Sequence, residues 1–224
     1  AGRGGSGGRP DPRDARAEAG RPRQVFTSGL RGEPQKQTDL GPIPESWDVV
    51  PCESVCTNIT VGVVVKPASH YVEKGIPAFR SLNVREDRLE TDRLVYFSPQ
   101  ANETVLAKSR LTEGDILVVR TGYPGTSCVV PRAFDGANCI DLVILRPNRG
   151  KIVPEFLSRF FNSDAGRSQS LRSKTGLAQQ HLNVNAVKST QVPVSSIAEQ
   201  REIATHLAAI DAKLAHHEAR RKLL

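Results

Sequence analysis

From Val194 to Leu224 the chain contains neither Gly nor Pro, and Ala recurs throughout. So long a stretch without a helix breaker constrains the fold more than any other feature. Ser196 and Glu199 have the spacing of a capping box. The Ser hydroxyl accepts the Glu199 backbone N–H while the Glu carboxylate reaches back to the Ser196 N–H. Ile203, Leu207, Ile210 and Leu214 follow at alternating steps of four and three, on one stripe of a helix. His217 and Arg221 weaken the stripe before Leu224 restores it. Carried to Leu224, this helix is roughly 43 Å long. A rod with one narrow apolar seam needs a partner to cover the seam. The spacing therefore predicts a coiled-coil helix, ahead of an amphipathic helix packed on its own domain.

The 224 residues carry a formal net charge of +7. Residues 1–38 hold eight Lys/Arg and four Asp/Glu, so more than half of that excess lies in them. This Gly-, Arg- and Pro-rich segment has too little apolar surface to offset chain entropy and is expected to be a disordered or linker tail. The basic balance permits a nucleic-acid partner without establishing one. No run of 18 apolar residues exists, which argues against a transmembrane helix, and the N-terminus lacks the apolar core of a secretory signal. The absence of any Met suggests a piece of a longer reading frame. Cys52, Cys56, Cys128 and Cys139 have no His at zinc-ligand spacing and read as free thiols of a reducing cytoplasm. No metal site and no cofactor are expected.

Between tail and rod the periodicity is mostly that of strands. Trp47, the only Trp, reads as a core plug in a Pro-punctuated opening. Glu53–Ile59 is compatible with a short helix, and Val61–Val65 with a strand. Further strands are expected at Gly75–Val84, Asp92–Phe97, Ile116–Arg120, Ser127–Val130, Cys139–Leu145 and Val192–Val194. Pro154 followed by Phe156, Leu157, Phe160 and Phe161 predicts an amphipathic helix to Ser163, and Lys174-Thr175-Gly176 a break. The fold class is α+β: a mainly β domain at 39–193 with a few helices, then a long C-terminal coiled-coil helix at 194–224.

Catalytic patterns are missing. There is no G-x-x-x-x-G-K-[ST] phosphate loop and no G-x-S-x-G nucleophile elbow. The amino-methyltransferase and common nuclease signatures are also absent. His70, His181, His206, His216 and His217 are scattered and read as solvated. Glu86, Asp87, Glu90 and Asp92 alternate with Arg85, Arg88 and Arg93, as in a charged turn. Binding is therefore favoured over catalysis.

Several segments in order resemble the specificity subunit of type I restriction-modification systems. They are Gly41-Pro42-Ile43-Pro44-Glu45-Ser46-Trp47-Asp48-Val49-Val50, Gly75-Ile76-Pro77-Ala78-Phe79-Arg80 with Asn83, and Gly114 to Gly122. Thr175 to Asn183 and Gln191-Val192-Pro193-Val194 leading into Ala198-Glu199-Gln200-Arg201-Glu202-Ile203 complete the set. The resemblance covers residues 38–224, and Val25–Gly32 looks like the end of a preceding spacer. Such subunits usually hold two target recognition domains, each followed by a long helix, with the helices antiparallel. This chain, with one of each, resembles a half-subunit or fragment.

The resemblance implies a DNA-reading, non-catalytic role: one half-site of a bipartite target, with the paired helices as a ruler. It implies double-stranded DNA, methyltransferase and restriction subunits, and a second spacer helix from a sister domain or homodimer mate as partners. Arg suits guanine and Asn/Gln adenine, so the candidate DNA contacts are Arg80, Ser81, Asn83, Arg120, Thr121, Tyr123, Lys174, Gln179 and Gln180. Ile203, Leu207, Ile210 and Leu214 are the candidate helix-pairing residues. Two other readings stay open: a structural coiled-coil adaptor, and an enzyme with an unrecognised site, for instance a Cys128 or Cys139 nucleophile.

Overall fold

The computed structural model of the protein describes residues 25–172 and 181–222. Strands β1 (Gln35–Thr38), β2 (Gly41–Pro44) and β3 (Asp48–Pro51) come first. A 3-10 turn at Cys52–Val55 then leads into β4 (Cys56–Val61). Next come β5 (Tyr71–Val72), β6 (Ile76–Phe79), β7 (Val84–Arg85), β8 (Arg88–Leu89) and β9 (Val95–Phe97). After α1 (Pro99–Glu103) follow β10 (Ile116–Val119), β11 (Ser127–Val129), β12 (Asn138–Cys139) and β13 (Leu142–Pro147). Helices α2 (Pro154–Asn162), α3 (Asp164–Arg172) and α4 (Val184–Ser189), strand β14 (Gln191–Val194) and helix α5 (Ile197–Lys222) complete the order.

The centre is an antiparallel sheet in the order β11-β10-β13-β4. All four residues of β10 are buried. Successive side chains of a strand point to opposite faces, and here both faces are covered. Ile116, Val118, Val143 and Leu145 join the core with Phe156, Phe160 and Phe161 of α2. Leu117, Val119, Leu142 and Ile144 join a second cluster with Phe79, Cys128 and Cys139. This double burial is why the two strands read as unbroken apolar runs rather than alternating ones. The second cluster lies towards another sheet, ordered β12-β6-β9-β5. The two layers meet closely at Gly62, where a Cβ would stand 2.5 Å from the Cys139 carbonyl oxygen.

Several sequence expectations shift. Glu53–Ile59 is a 3-10 turn and the start of β4, not a helix. The strand expected at Val61–Val65 ends at Val61: Gly62 and Val63 still donate to the Leu142 and Cys139 carbonyls, but Val64 and Val65 stand exposed. Asp141, at φ +51°, splits the run 139–145 into β12 and β13. The break at Lys174-Thr175-Gly176 lies outside the described residues. Residues 25–38, expected in the tail, are folded: Val25 and Phe26 are buried and β1 pairs with β2. Phe26 meets Phe156 and Phe160 edge-on at centroid distances of 5.3 and 5.8 Å. Leu30 also packs against this core, so three apolar side chains hold the otherwise polar stretch in place.

The C-terminal helix α5 has 26 residues and is about 39 Å long. Its seam is divided. Ile203 and Leu207 are buried in the same core as Phe26, Trp47 and Phe156. Ile210 is half-buried, and Leu214 is 47% exposed within a run exposed from 211 to 217. The expectation that all four residues serve helix pairing is therefore corrected: the first two are covered by their own domain. A long coiled coil is not confirmed: the proximal half of the helix packs on its own domain and only the distal half projects. The capping box is half-formed. The Glu199 N–H donates to Ser196 Oγ at 3.3 Å, but the Glu199 carboxylate turns inward to Trp47.

Candidate nucleic-acid interface

Register brings three loops to one end of the central sheet. Val119 pairs with Leu142, Val61 with Val143, and Val118 with Ser127. Residues 62–66, 120–126 and Asp141 therefore leave the sheet on the same side. The β10–β11 connection is tight: the Gly125 N–H donates to the Val119 carbonyl at 3.0 Å, and Gly122 and Gly125 both take φ +90°. Only Gly adopts such angles freely. At the tip, Thr121 is exposed and Tyr123 is 82% exposed.

Arg120 holds this loop in place. Its Nη1 donates to Asp141 Oδ1 at 2.5 Å and its Nε to the Leu182 carbonyl at 3.0 Å. The Leu182 N–H returns a bond to the Arg120 carbonyl at 2.9 Å. Thr121 Oγ1 lies 2.8 Å from His181 Nδ1, and His181 Nε2 is 3.9 Å from Asp141. With its side chain only 12% exposed, Arg120 is more a strut than a reaching arm. The flanks of segment 173–180 meet the same loop: His181 at Thr121, and Ser170 under Gly125. Lys174, Gln179 and Gln180 themselves lie outside the described residues.

Arg80, Ser81 and Asn83 follow β6 of the neighbouring sheet, Arg80 capping the 3-10 turn Ser81–Asn83. Ala78 and Phe79 pair in parallel with Asn138 and Cys139, so Arg80 follows one residue beyond that pairing, beside the 140–141 segment. Arg80 Nη2 donates to the Arg93 carbonyl at 2.5 Å. Asn83 is fully buried. Its Oδ1 accepts the Arg80 N–H at 3.0 Å, and its Nδ2 donates to the carbonyls of Glu90 and Asp92 at 3.1 and 2.9 Å. Both amide hydrogens are spent on backbone, so the expectation of Asn83 as a base contact is corrected: it staples the turn.

Asp141 and His181 are the members that sequence reasoning missed. The one available signal for Asp141 was a lone acid inside an apolar run; for His181 it was its place in the segment from Thr175 to Asn183. Among the described residues, no group of three or more His, Cys, Asp or Glu is placed to hold a metal ion. Burial pushes the Cys128 and Cys139 thiols well above their ordinary range, which leaves neither poised as a thiolate nucleophile.

No family model matches the chain. Curated relatives do. The protein named as the type I restriction enzyme MjaX specificity subunit of Methanocaldococcus jannaschii is 25% identical over 185 residues, covering 79% of this chain and 42% of that one. The EcoBI specificity subunit of Escherichia coli is 26% identical over 167 residues, covering 72% and 34%. The StySPI specificity subunit of Salmonella potsdam is 27% identical over 197 residues, covering 80% and 39%. The chain thus spans less than half the length of these relatives.

Among solved structures, the HsdS subunit from Thermoanaerobacter tengcongensis matches with TM-score 0.59 at 22% identity, covering 80% of this chain and 45% of that one. A chain from a type I restriction-modification system solved for its assembly and conformational transition matches with TM-score 0.63 at 22% identity, covering 94% and 49%. At such identities the likeness is one of fold. In sequence the chain is similar to type I restriction enzyme specificity subunits, and its fold is shared with just under half the length of the solved chains it matches.

Proposed function

We propose that this chain is the DNA-reading, non-catalytic part of a type I restriction-modification specificity subunit, acting in the cytoplasm. In this reading residues 39–193 contact one half-site of a bipartite target. Residues 194–224 form the spacer that meets a second helix and helps dock methyltransferase and restriction subunits. The observation that carries it is the sequence relationship to three curated specificity subunits, each matched over most of this chain. Two structural features support it. An exposed loop with Thr121 and Tyr123 at its tip stands on a braced sheet end, which suits contact with a groove. The projecting half of α5 adds reach: a helix of about 39 Å is comparable with one turn of B-DNA, ~34 Å.

Arg80, Ser81, Thr121 and Tyr123 are the contacts proposed at the surface, with Lys174, Gln179 and Gln180 beside them in sequence. Arg120 and Asn83 hold the loops that present them. Phosphate contacts position a protein and base contacts specify it, so the test must separate the two. Selection from a randomised duplex library should enrich one short sequence. Tyr123→Ala and Thr121→Ala should weaken binding to that sequence more than to a scrambled duplex. Equal loss on both duplexes would make the loop a phosphate clamp, and failure to enrich any sequence would sink the reading.

A further inference from the structure

Cys52 and Cys56 are both free, and their sulfurs are 4.0 Å apart. Cys52 opens the 3-10 turn and Cys56 opens β4, so only the three residues Glu53, Ser54 and Val55 separate them. Cys52 is fully buried in the main core, whereas Cys56 is only partly covered. We propose that this pair is a covalent modification site, a dithiol that a small-molecule disulfide of the glutathione class converts into an internal disulfide. A protein disulfide is about 2.05 Å long. Closing the gap takes about 2 Å of sulfur movement, within reach of side-chain rotation at the two ends of the turn.

The accessible thiol reacts first. The Cys56 thiolate attacks one sulfur of the small disulfide, forming a Cys56–glutathione bond and releasing one glutathione thiolate. The Cys52 sulfur, losing its proton, then attacks the Cys56 sulfur, forming the Cys52–Cys56 bond and releasing the second glutathione. Two protein thiols are oxidised and one small disulfide is reduced to two thiols, so electrons and protons balance. The Cys52 thiol is held well above its ordinary range, first by its hydrogen bond with Cys56 and then by burial. The first cause vanishes once Cys56 is capped; burial persists and makes the second step the slow one. Cys128 and Cys139 are buried with no comparable exposed neighbour.

The site has structural reach. The Cys52 N–H donates to the Thr190 carbonyl at 2.8 Å, one residue before β14, which pairs with β3 and continues towards α5. The test uses the full chain incubated with glutathione disulfide, then alkylated in denaturant and cut with trypsin. Because trypsin does not cut the Lys66-Pro67 bond, residues 37–74 form one peptide, which holds Cys52 and Cys56 but neither other cysteine. The expected product is this peptide lighter by two hydrogens, unalkylated and free of glutathione. In Cys52→Ser the glutathione adduct should persist on Cys56, and in Cys56→Ser the peptide should gain none. Two alkylatable thiols in the wild type, or a persistent adduct there, overturns the proposal. Should Cys52→Ser fail to fold, the wild-type peptide mass decides alone. Hydrogen exchange at 190–194 should slow on oxidation, and dithiothreitol should reverse it.

Discussion

The indole N–H of Trp47 donates to Glu199 Oε2 at 3.1 Å, joining two buried residues 152 positions apart. This bond fastens the first turn of α5 to the opening strands, and it is why the Glu199 carboxylate abandons the cap that its spacing with Ser196 predicts. Among the described residues, the other oxygen, Oε1, has only Arg31 near it, with Nε at 3.9 Å. Glu199→Ala strips the indole N–H of its acceptor and is expected to cost about 1–3 kcal/mol. Glu199→Gln keeps an oxygen to accept the bond and should cost less. Urea unfolding followed by the fluorescence of Trp47, the sole Trp, reads both. Wild-type stability in the Ala variant would show that the bond contributes nothing net.

Arg159 on α2 stands between two carboxylates, with Nη1 2.7 Å from Asp211 of α5 and 3.6 Å from Asp87 in the β7–β8 turn. Asp211 is 57% exposed, so Asp211→Ala should cost under about 1 kcal/mol while speeding hydrogen exchange in the distal helix. Asp87 behaves differently. Burial raises its pKa above the ordinary carboxylate value, opposed by Arg159 and by hydrogen bonds from Ser158 and Asn162; Asp211 adds a further rise. A raised folded-state pKa means the fold prefers the protonated acid. The stability it lends is present below the unfolded pKa and is lost as pH rises through the folded one. Asp87→Asn should remove that acid-side slope, and Arg159→Ala should extend it to higher pH. Denaturation curves across the acid range measure this, and an unchanged slope in Asp87→Asn would refute it.

The elements legible in the sequence are those whose cause is local. β10 and the phenylalanine face of α2 announce themselves by runs that any apolar environment would bury. The start of α5 was legible from Ser196 and the lack of breakers, but not the inward turn of Glu199, which depends on an indole 152 residues away. Likewise Asn83 reads as a polar surface residue until three backbone partners surround it. The struts of the loop end, Asp141 and His181, are defined by register between strands distant in sequence, which periodicity does not encode. α3 carries too weak an apolar face to be seen.

Asn83 offers a sharp contrast between support and contact. Asn83→Ala leaves the Glu90 and Asp92 carbonyls and the Arg80 N–H without their partner. These groups are only partly covered, with Asp92 exposed, so water can replace some of the lost bonds and the variant should be destabilised by about 1–3 kcal/mol. Its DNA binding, measured where the fold persists, should fall equally for cognate and scrambled duplexes. A selective loss on the cognate duplex would instead return Asn83 to the base-reading set.

The divided seam of α5 predicts unequal costs at equivalent positions. Ile203 is fully buried among aromatic side chains, so Ile203→Ala should cost about 2–5 kcal/mol in domain stability. Leu214→Ala, at a position 47% exposed, should change it by no more than about 0.5 kcal/mol. If a second helix covers the distal half, as the proposed spacer role requires, Leu214→Ala should instead weaken association. Sedimentation of the chain alone, and then with a methyltransferase subunit, separates the two effects. Equal stability losses at Ile203 and Leu214 would mean that the whole helix lies on its own domain in solution. Association indifferent to Leu214 would take the distal seam out of the pairing surface.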